Sequence, residues 1–134
     1  KYNLKILGQH NQWNAEFVKK VCVSGLKLNE MDVIAEIESF EGLPHRLEYS
    51  GEKVGVKYYD DSISTIPMAC INACRSIPNL KAAIIGGMDR GIGYKELIDF
   101  IKANGDIMFL CAYATGERIY EEASRPFKER DASN

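Results

Sequence analysis

No two cysteines stand at CxxC spacing, and the chain has only two histidines, His10 and His45, both far in sequence from any cysteine. A zinc site needs four closely arranged ligands, so this pattern excludes the common structural zinc modules. Cys22, Cys70, Cys74 and Cys111 read instead as small buried hydrophobes of a reducing compartment. No apolar run approaches bilayer length and no secretory h-region is visible. A cytoplasmic protein without a membrane partner is therefore expected. Charge of one sign is also missing: 17 cationic and 19 anionic side chains are interspersed, for a net charge of -2. That balance gives no basic field to gather nucleic acid, and an anionic ligand would need a local pocket.

What remains is ordinary globular material. The 134 residues, 46% apolar and 27% charged, are enough for one compact domain, or a domain with the flank of a neighbour. Tyr2 to Leu7 alternates as a short strand ending at Gly8. Trp13, Phe17, Val18 and Val21 then share a helical face, with Asn11 as N-cap and Gly25 as C-terminal cap. A second amphipathic helix follows Asn29, carries Met31, Ile34 and Ile37, and ends before Gly42-Leu43-Pro44. Residues 46–49 and 54–59 alternate as a hairpin with its turn at Ser50-Gly51-Glu52.

From Ser62 the pattern becomes helix, strand, helix, strand, helix. The helices are predicted from Ile66-Pro67 to Pro78, over 94–104 and around 117–123. The strands, 81–85 and 106–111, are continuous apolar runs, as strands covered on both faces should be. The predicted fold is α/β: a Rossmann-like, mostly parallel sheet with flanking helices, preceded by a two-helix segment. A domain boundary is expected near Gly42, and the polar tail from Pro126 is expected to fray.

Four segments at element ends, where α/β folds hold ligands, carry possible chemistry. Gly8-Gln9-His10-Asn11 with Asn14 offers carboxamides that can cap a helix or read a ligand edge. Gly42-Leu43-Pro44-His45-Arg46-Leu47-Glu48 delivers a histidine and an arginine to a strand start. There Arg46 can stack on a base, fork onto an anion, or pair with Glu48. In Tyr59-Asp60-Asp61-Ser62-Ile63-Ser64-Thr65, a carboxylate can hold a ribose hydroxyl, or Ser64 and Thr65 can simply cap the next helix. Gly86-Gly87-Met88-Asp89-Arg90-Gly91-Ile92-Gly93 is neither GxGxxG nor a P-loop. It reads as a loop that presents Asp89 and Arg90 to a small charged substrate.

Taken together, the segments resemble the Mur ligase family. The resemblance rests on Gly8-x-His10-Asn11-x-x-Asn14, Phe40-x-Gly42-Leu43-Pro44-His45-Arg46-Leu47-Glu48, Tyr59-x-Asp61-Ser62 with Thr65, and Gly86-Gly87-x-Asp89-Arg90-Gly91, in the family's order. It is similar in particular to the members that add D-glutamate to UDP-N-acetylmuramoyl-L-alanine. The resemblance implies an ATP- and Mg2+-dependent acid–amino-acid ligase of peptidoglycan precursor synthesis, working through an acyl phosphate. Asn14, His45, Arg46 and Asp61 would serve ATP, and Thr65, Asp89 and Arg90 the incoming amino acid. No catalytic or metal-ligating residue is assigned. It also implies that residues 1–41 are the end of a central ATP-binding domain, and 42–134 a C-terminal domain cut short. Such a fragment, with no P-loop, would be inactive by itself.

One position departs from the family pattern. Where the D-glutamate-adding members carry Lys in Asp-Ser-Lys-Ala-Thr-Asn, this chain has Ile63. Losing that cation removes a charge-assisted hydrogen bond worth roughly 1.5–3 kcal/mol. A Mur ligase variant that adds L-glutamate resembles the Ile-containing loop better and remains an alternative. So does a non-catalytic Rossmann-like binding module.

Overall fold

The computed structural model describes residues 1–125, and the expectation for the tail from Pro126 lies outside them. The chain forms two compact units, residues 1–65 with 72–78, and residues 66–71 with 79 onward.

In the first unit, helix α1 (Gln9–Lys20) begins on Gly8, whose φ of 103° is open to glycine and costly for other residues. A Cβ at Gly8 would stand 2.4 Å from a ring carbon of His10. Asn11 therefore lies inside the first turn and is not the N-cap; its amide donates to Leu7 O at 2.6 Å. The strand read over Tyr2–Leu7 does not form. Its alternation is real, but the backbone of Tyr2 pairs with the Gln12 carboxamide, which accepts from Tyr2 N at 2.8 Å and donates to Tyr2 O at 2.9 Å. A side chain supplies what a neighbouring strand would have supplied.

Helix α1 runs into a π-helical turn, Val21–Gly25, in which Leu26 N donates five residues back to Val21 O at 3.0 Å. The left-handed residue beyond it is Lys27 (φ 58°), so Gly25 does not act as the cap. Helix α2 (Glu30–Ser39) does start as its sequence predicts. Asn29 Oδ1 accepts from Met31 N and Asp32 N at 2.9 and 3.2 Å, which satisfies two of the four orphan donors of a helix start. Ala15 and Val33 are buried, whereas Trp13 and Phe17 are 74% and 70% exposed. The apolar stripe of α1 is thus not the face that builds this unit's core.

Strands β1 (Glu48–Lys53) and β2 (Val56–Asp60) form the antiparallel hairpin. Its turn lies at Val54-Gly55, both left-handed (φ 53° and 75°), and not at Ser50-Gly51-Glu52. Those residues belong to β1, where the register slips between Tyr49 and Gly51 and leaves Ser50 as a bulge.

Helix α3 (Pro67–Ser76) contributes to both units, up to Ile71 in the second and from Asn72 in the first. The second unit is the Rossmann-like α/β part. Strands β3 (Ala82–Gly86) and β4 (Met108–Ala112) pair in parallel, Ala82 opposite Met108 and Gly86 opposite Ala112. Helix α4 (Lys95–Ala103) makes the crossover, and α5 (Tyr113–Ser124) follows β4 directly, four residues earlier than the sequence pattern implied. Ile71, Ile85, Leu97, Ile98 and Ile119 form its core. Leu97, Ile98 and Ile101 recur on the helical period that turns one face of α4 inward. Phe100 and Phe109 meet edge to face at 6.3 Å.

The expectation that both faces of this sheet are covered does not hold. Ile85, Ala83, Phe109 and Cys111 pack against the core, while Ile84, Met108 and Leu110 are 77%, 62% and 47% exposed. Helices cover one face alone among the described residues, so alternate residues of each apolar run face outward. No helix among the described residues is long and apolar enough to cross a membrane.

Candidate functional site

The first unit gathers its polar groups where the chain enters β1 and leaves β2. Two non-glycine residues there, His45 (φ 62°) and Leu47 (φ 46°), adopt left-handed backbone on either side of Arg46. Such conformations persist only where neighbours over-determine them. Four hydrogen bonds do so here. Glu48 Oε2 accepts from His45 N at 2.8 Å, and Asp61 Oδ1 accepts from Leu47 N at 3.0 Å. His45 Nδ1 lies 2.7 Å from Asp60 Oδ2, and Ile63 N donates to His45 O at 3.4 Å.

The neighbouring Asp60 and Asp61 escape mutual repulsion by taking separate partners. Asp60 accepts from the His45 ring and from Ser62 N, and the imidazole bond holds its carboxyl down to about 2. The same bond raises the His45 pKa above its ordinary 6.5. Since an ionised carboxylate only accepts, His45 carries its proton on Nδ1. Asp61 accepts from Leu47 N and from Ser64 Oγ. Each of its oxygens keeps a second lone pair, so a ligand hydroxyl can still be accepted.

Arg46 joins this group through Ser64, whose Oγ accepts from Arg46 Nη1 at 3.3 Å. The alternative Arg46–Glu48 ion pair does not form, because Glu48 turns to the His45 amide. Ser64 likewise spends its hydroxyl on Asp61 and not on a helix cap. An exposed guanidinium, a carboxylate and a bridging hydroxyl therefore share one corner. Together they offer a flat cation for stacking and an acceptor for a sugar hydroxyl. Thr65 is exposed at the end of the same loop. Asn14 is exposed on α1, where its amide donates to Asn11 Oδ1 at 3.1 Å. No hydrogen bond among the described residues ties Asn14 to the Arg46–Asp61 corner.

Metal-ligating atoms cluster once among the described residues, at His45, Glu48 and Asp60, all within 4.8 Å of one another. The hydrogen bonds already described account for that closeness without an ion.

In the second unit the glycine loop leaves β3 through Gly86 and Gly87, both at φ 136°. A Cβ on Gly86 would fall 1.8 Å from Ala112 O, so only glycine lets β3 and β4 end side by side here. Asp89 folds back on its own loop and accepts from Gly91 N at 2.9 Å. It also pairs with Arg118 at 2.9 Å. Arg90 is exposed, and no hydrogen bond or ion pair engages its guanidinium among the described residues. The two residues that the sequence grouped together thus do different things: Asp89 shapes the loop, and Arg90 stands out from it. Arg118 escaped the sequence reading because it lies 29 residues beyond Asp89, with no motif of its own.

No family model matches the chain. Among curated proteins it is similar to UDP-N-acetylmuramoylalanine–D-glutamate ligases. It is 38% identical to that of Aquifex aeolicus over 117 residues, 86% of this chain and 27% of the relative. With the enzyme of Ruminiclostridium cellulolyticum it shares 32% over 131 residues, 98% of this chain and 28% of the relative. With that of Staphylococcus carnosus it shares 36% over 103 residues, 76% of this chain. The chain spans about a quarter of the length of these relatives.

Proposed function

This chain is a relative of the Mur ligases and fits a C-terminal fragment of a UDP-N-acetylmuramoylalanine–D-glutamate ligase, and from that premise we propose that it serves in such an enzyme as the edge of the ATP site and part of the amino-acid site. Residues 1–41 are the end of the ATP-binding domain in this reading, and residues from 42 onward belong to the domain that receives glutamate. The observation that carries it is the Arg46–Ser64–Asp61 relay. It joins a base-stacking cation to a ribose acceptor within the segment that follows the expected boundary near Gly42.

ATP, with Mg2+, supplies the phosphoryl group that activates the carboxylate of UDP-N-acetylmuramoyl-L-alanine for attack by the amine of glutamate. The residues of this chain bind and orient. Arg46 presents its planar face to the adenine, Asp61 accepts from the ribose, and His45 fixes the turn that carries Arg46. Asn14 reads the nucleotide from the start of α1. Arg90, on the loop shaped by Asp89, pairs with a carboxylate of the incoming glutamate, and Thr65 serves the same amino acid. The 134 residues contain no P-loop, so catalysis is proposed for the enzyme that carries this segment and not for the segment alone.

The relatives' names favour D-glutamate. Ile63 favours a second reading, an enzyme that adds L-glutamate: it is exposed in the Asp61–Thr65 loop, where the resemblance would have a carboxylate-binding lysine. Kinetics of Arg46→Ala in the full ligase test the nucleotide role. The KM for ATP should rise while the KM for glutamate holds, and an unchanged KM for ATP would remove Arg46 from the site.

A further inference from the structure

The glycine loop of the second unit looks free in sequence, with four glycines between Gly86 and Gly93. The structure ties it down from outside. Arg118 Nη1 donates to Asp89 Oδ2 at 2.9 Å, and Nη2 donates to Ile92 O at 2.8 Å. The flat face of the same guanidinium lies 4.7 Å from the centre of the Tyr94 ring. One side chain thus holds the loop's acidic residue, a backbone carbonyl near its end, and the aromatic residue that leads into α4.

Its platform is closely packed. Arg118 sits on α5 between the buried Thr115 and Ile119. Gly116 brings that helix so close to the strands that a Cβ there would lie 2.8 Å from Cys111 C and 3.2 Å from Ile85 O. Nε, the remaining edge of the guanidinium, faces Glu122 at 3.9 Å. With its edges and one face engaged, Arg118 is poorly placed to bind a ligand carboxylate itself. Its pairing with Asp89 also keeps that carboxylate from turning to Arg90, which remains exposed.

We infer that Arg118 is a positioning residue: by clamping Asp89, Ile92 and Tyr94 it holds the glycine loop in the form that presents Arg90 to the substrate carboxylate. This rests on the role proposed above for Arg90. The planar fork is required, because a lysine offers one point charge and cannot donate to Asp89 and Ile92 in fixed directions while stacking on Tyr94. Preorganisation of this kind acts on amino-acid binding more than on nucleotide binding, since misplacing a binding group is costly.

The test compares wild type, Arg118→Ala, Arg118→Lys and Asp89→Asn in the full ligase, with steady-state kinetics and hydrogen exchange of residues 86–93. The expected result is faster loop exchange in all three variants and a KM for glutamate raised on the order of tenfold. The KM for ATP should stay near wild type, and Arg118→Lys should fail to rescue. If the loop exchanges faster while the KM for glutamate holds, the positioning role is overturned. The same follows if Arg118→Lys restores both readouts. Should Arg118→Ala not fold, Asp89→Asn carries the decision, since it keeps the side-chain shape and weakens the clamp. A wild-type enzyme without glutamate-dependent phosphate release refutes the proposed function instead. Loop exchange would then still report whether Arg118 is the clamp.

Discussion

His45 Nδ1 and Asp60 Oδ2 lie 2.7 Å apart, joining the left-handed turn before β1 to the last residue of β2. This pair sets a pH window. Asp60 is depressed from 3.8 to about 2, so its contribution is present above 3.8 and lost as pH falls towards 2. His45 is raised above 6.5, so its contribution is complete below 6.5 and lost as pH climbs through the raised value. The pair is therefore strongest between about pH 4 and 6.5. NMR titration of the His45 ring should give a pKa above 6.5 in wild type, falling back towards 6.5 in Asp60→Asn. An identical titration in both proteins would mean that the pair does not form in solution.

Gly86 is fixed by backbone geometry and by space together. Gly86→Ala should destabilise the second unit by at least about 1–3 kcal/mol from the φ of 136° alone, with the clash against Ala112 O added to that. Gly93→Ala, where nothing stands within 4 Å of the new Cβ, should stay within about 0.5 kcal/mol of wild type. Urea unfolding of the two variants makes the comparison. Equal stabilities would contradict the close approach of β3 and β4.

Asn29→Ala should cost about 1 kcal/mol, since it leaves Met31 N and Asp32 N without their side-chain acceptor. Chemical denaturation followed by circular dichroism reads this directly, and no loss would mean that the cap is replaced by water at no cost.

Asn29 also marks what was legible in the sequence. A capping residue directly before a periodic apolar segment is a local signal, and α2 begins where it says. The apolar runs of β3 and β4 and the glycine loop after β3 were readable for the same reason. The hairpin turn was not. Ser50-Gly51 has turn composition, yet cross-strand pairing absorbs it as a bulge and forces Val54, a β-branched residue, into left-handed backbone. Tyr2–Leu7 failed as a strand because its partner is the Gln12 side chain, which periodicity cannot foresee. At the candidate site, residue types named His45, Arg46, Asp61 and Arg90. That Ser64 bridges two of them, and that Arg118 reaches back to Asp89, are relations across 18 and 29 residues. Only folding brings such partners together.

Arg90→Ala in the full ligase should raise the KM for glutamate on the order of tenfold or more, as loss of a charge-assisted hydrogen bond does. The KM for UDP-N-acetylmuramoyl-L-alanine should hold. Steady-state phosphate release separates the two, and an unchanged KM for glutamate would take Arg90 out of the amino-acid site.

The most direct measurement is ATP-dependent phosphate release by the ligase that carries this segment, with UDP-N-acetylmuramoyl-L-alanine and each glutamate enantiomer in turn. Release should require the nucleotide-linked substrate and D-glutamate together. Release with L-glutamate alone would make Ile63 the mark of a different amino-acid site, and no release with either enantiomer would contradict the proposed function.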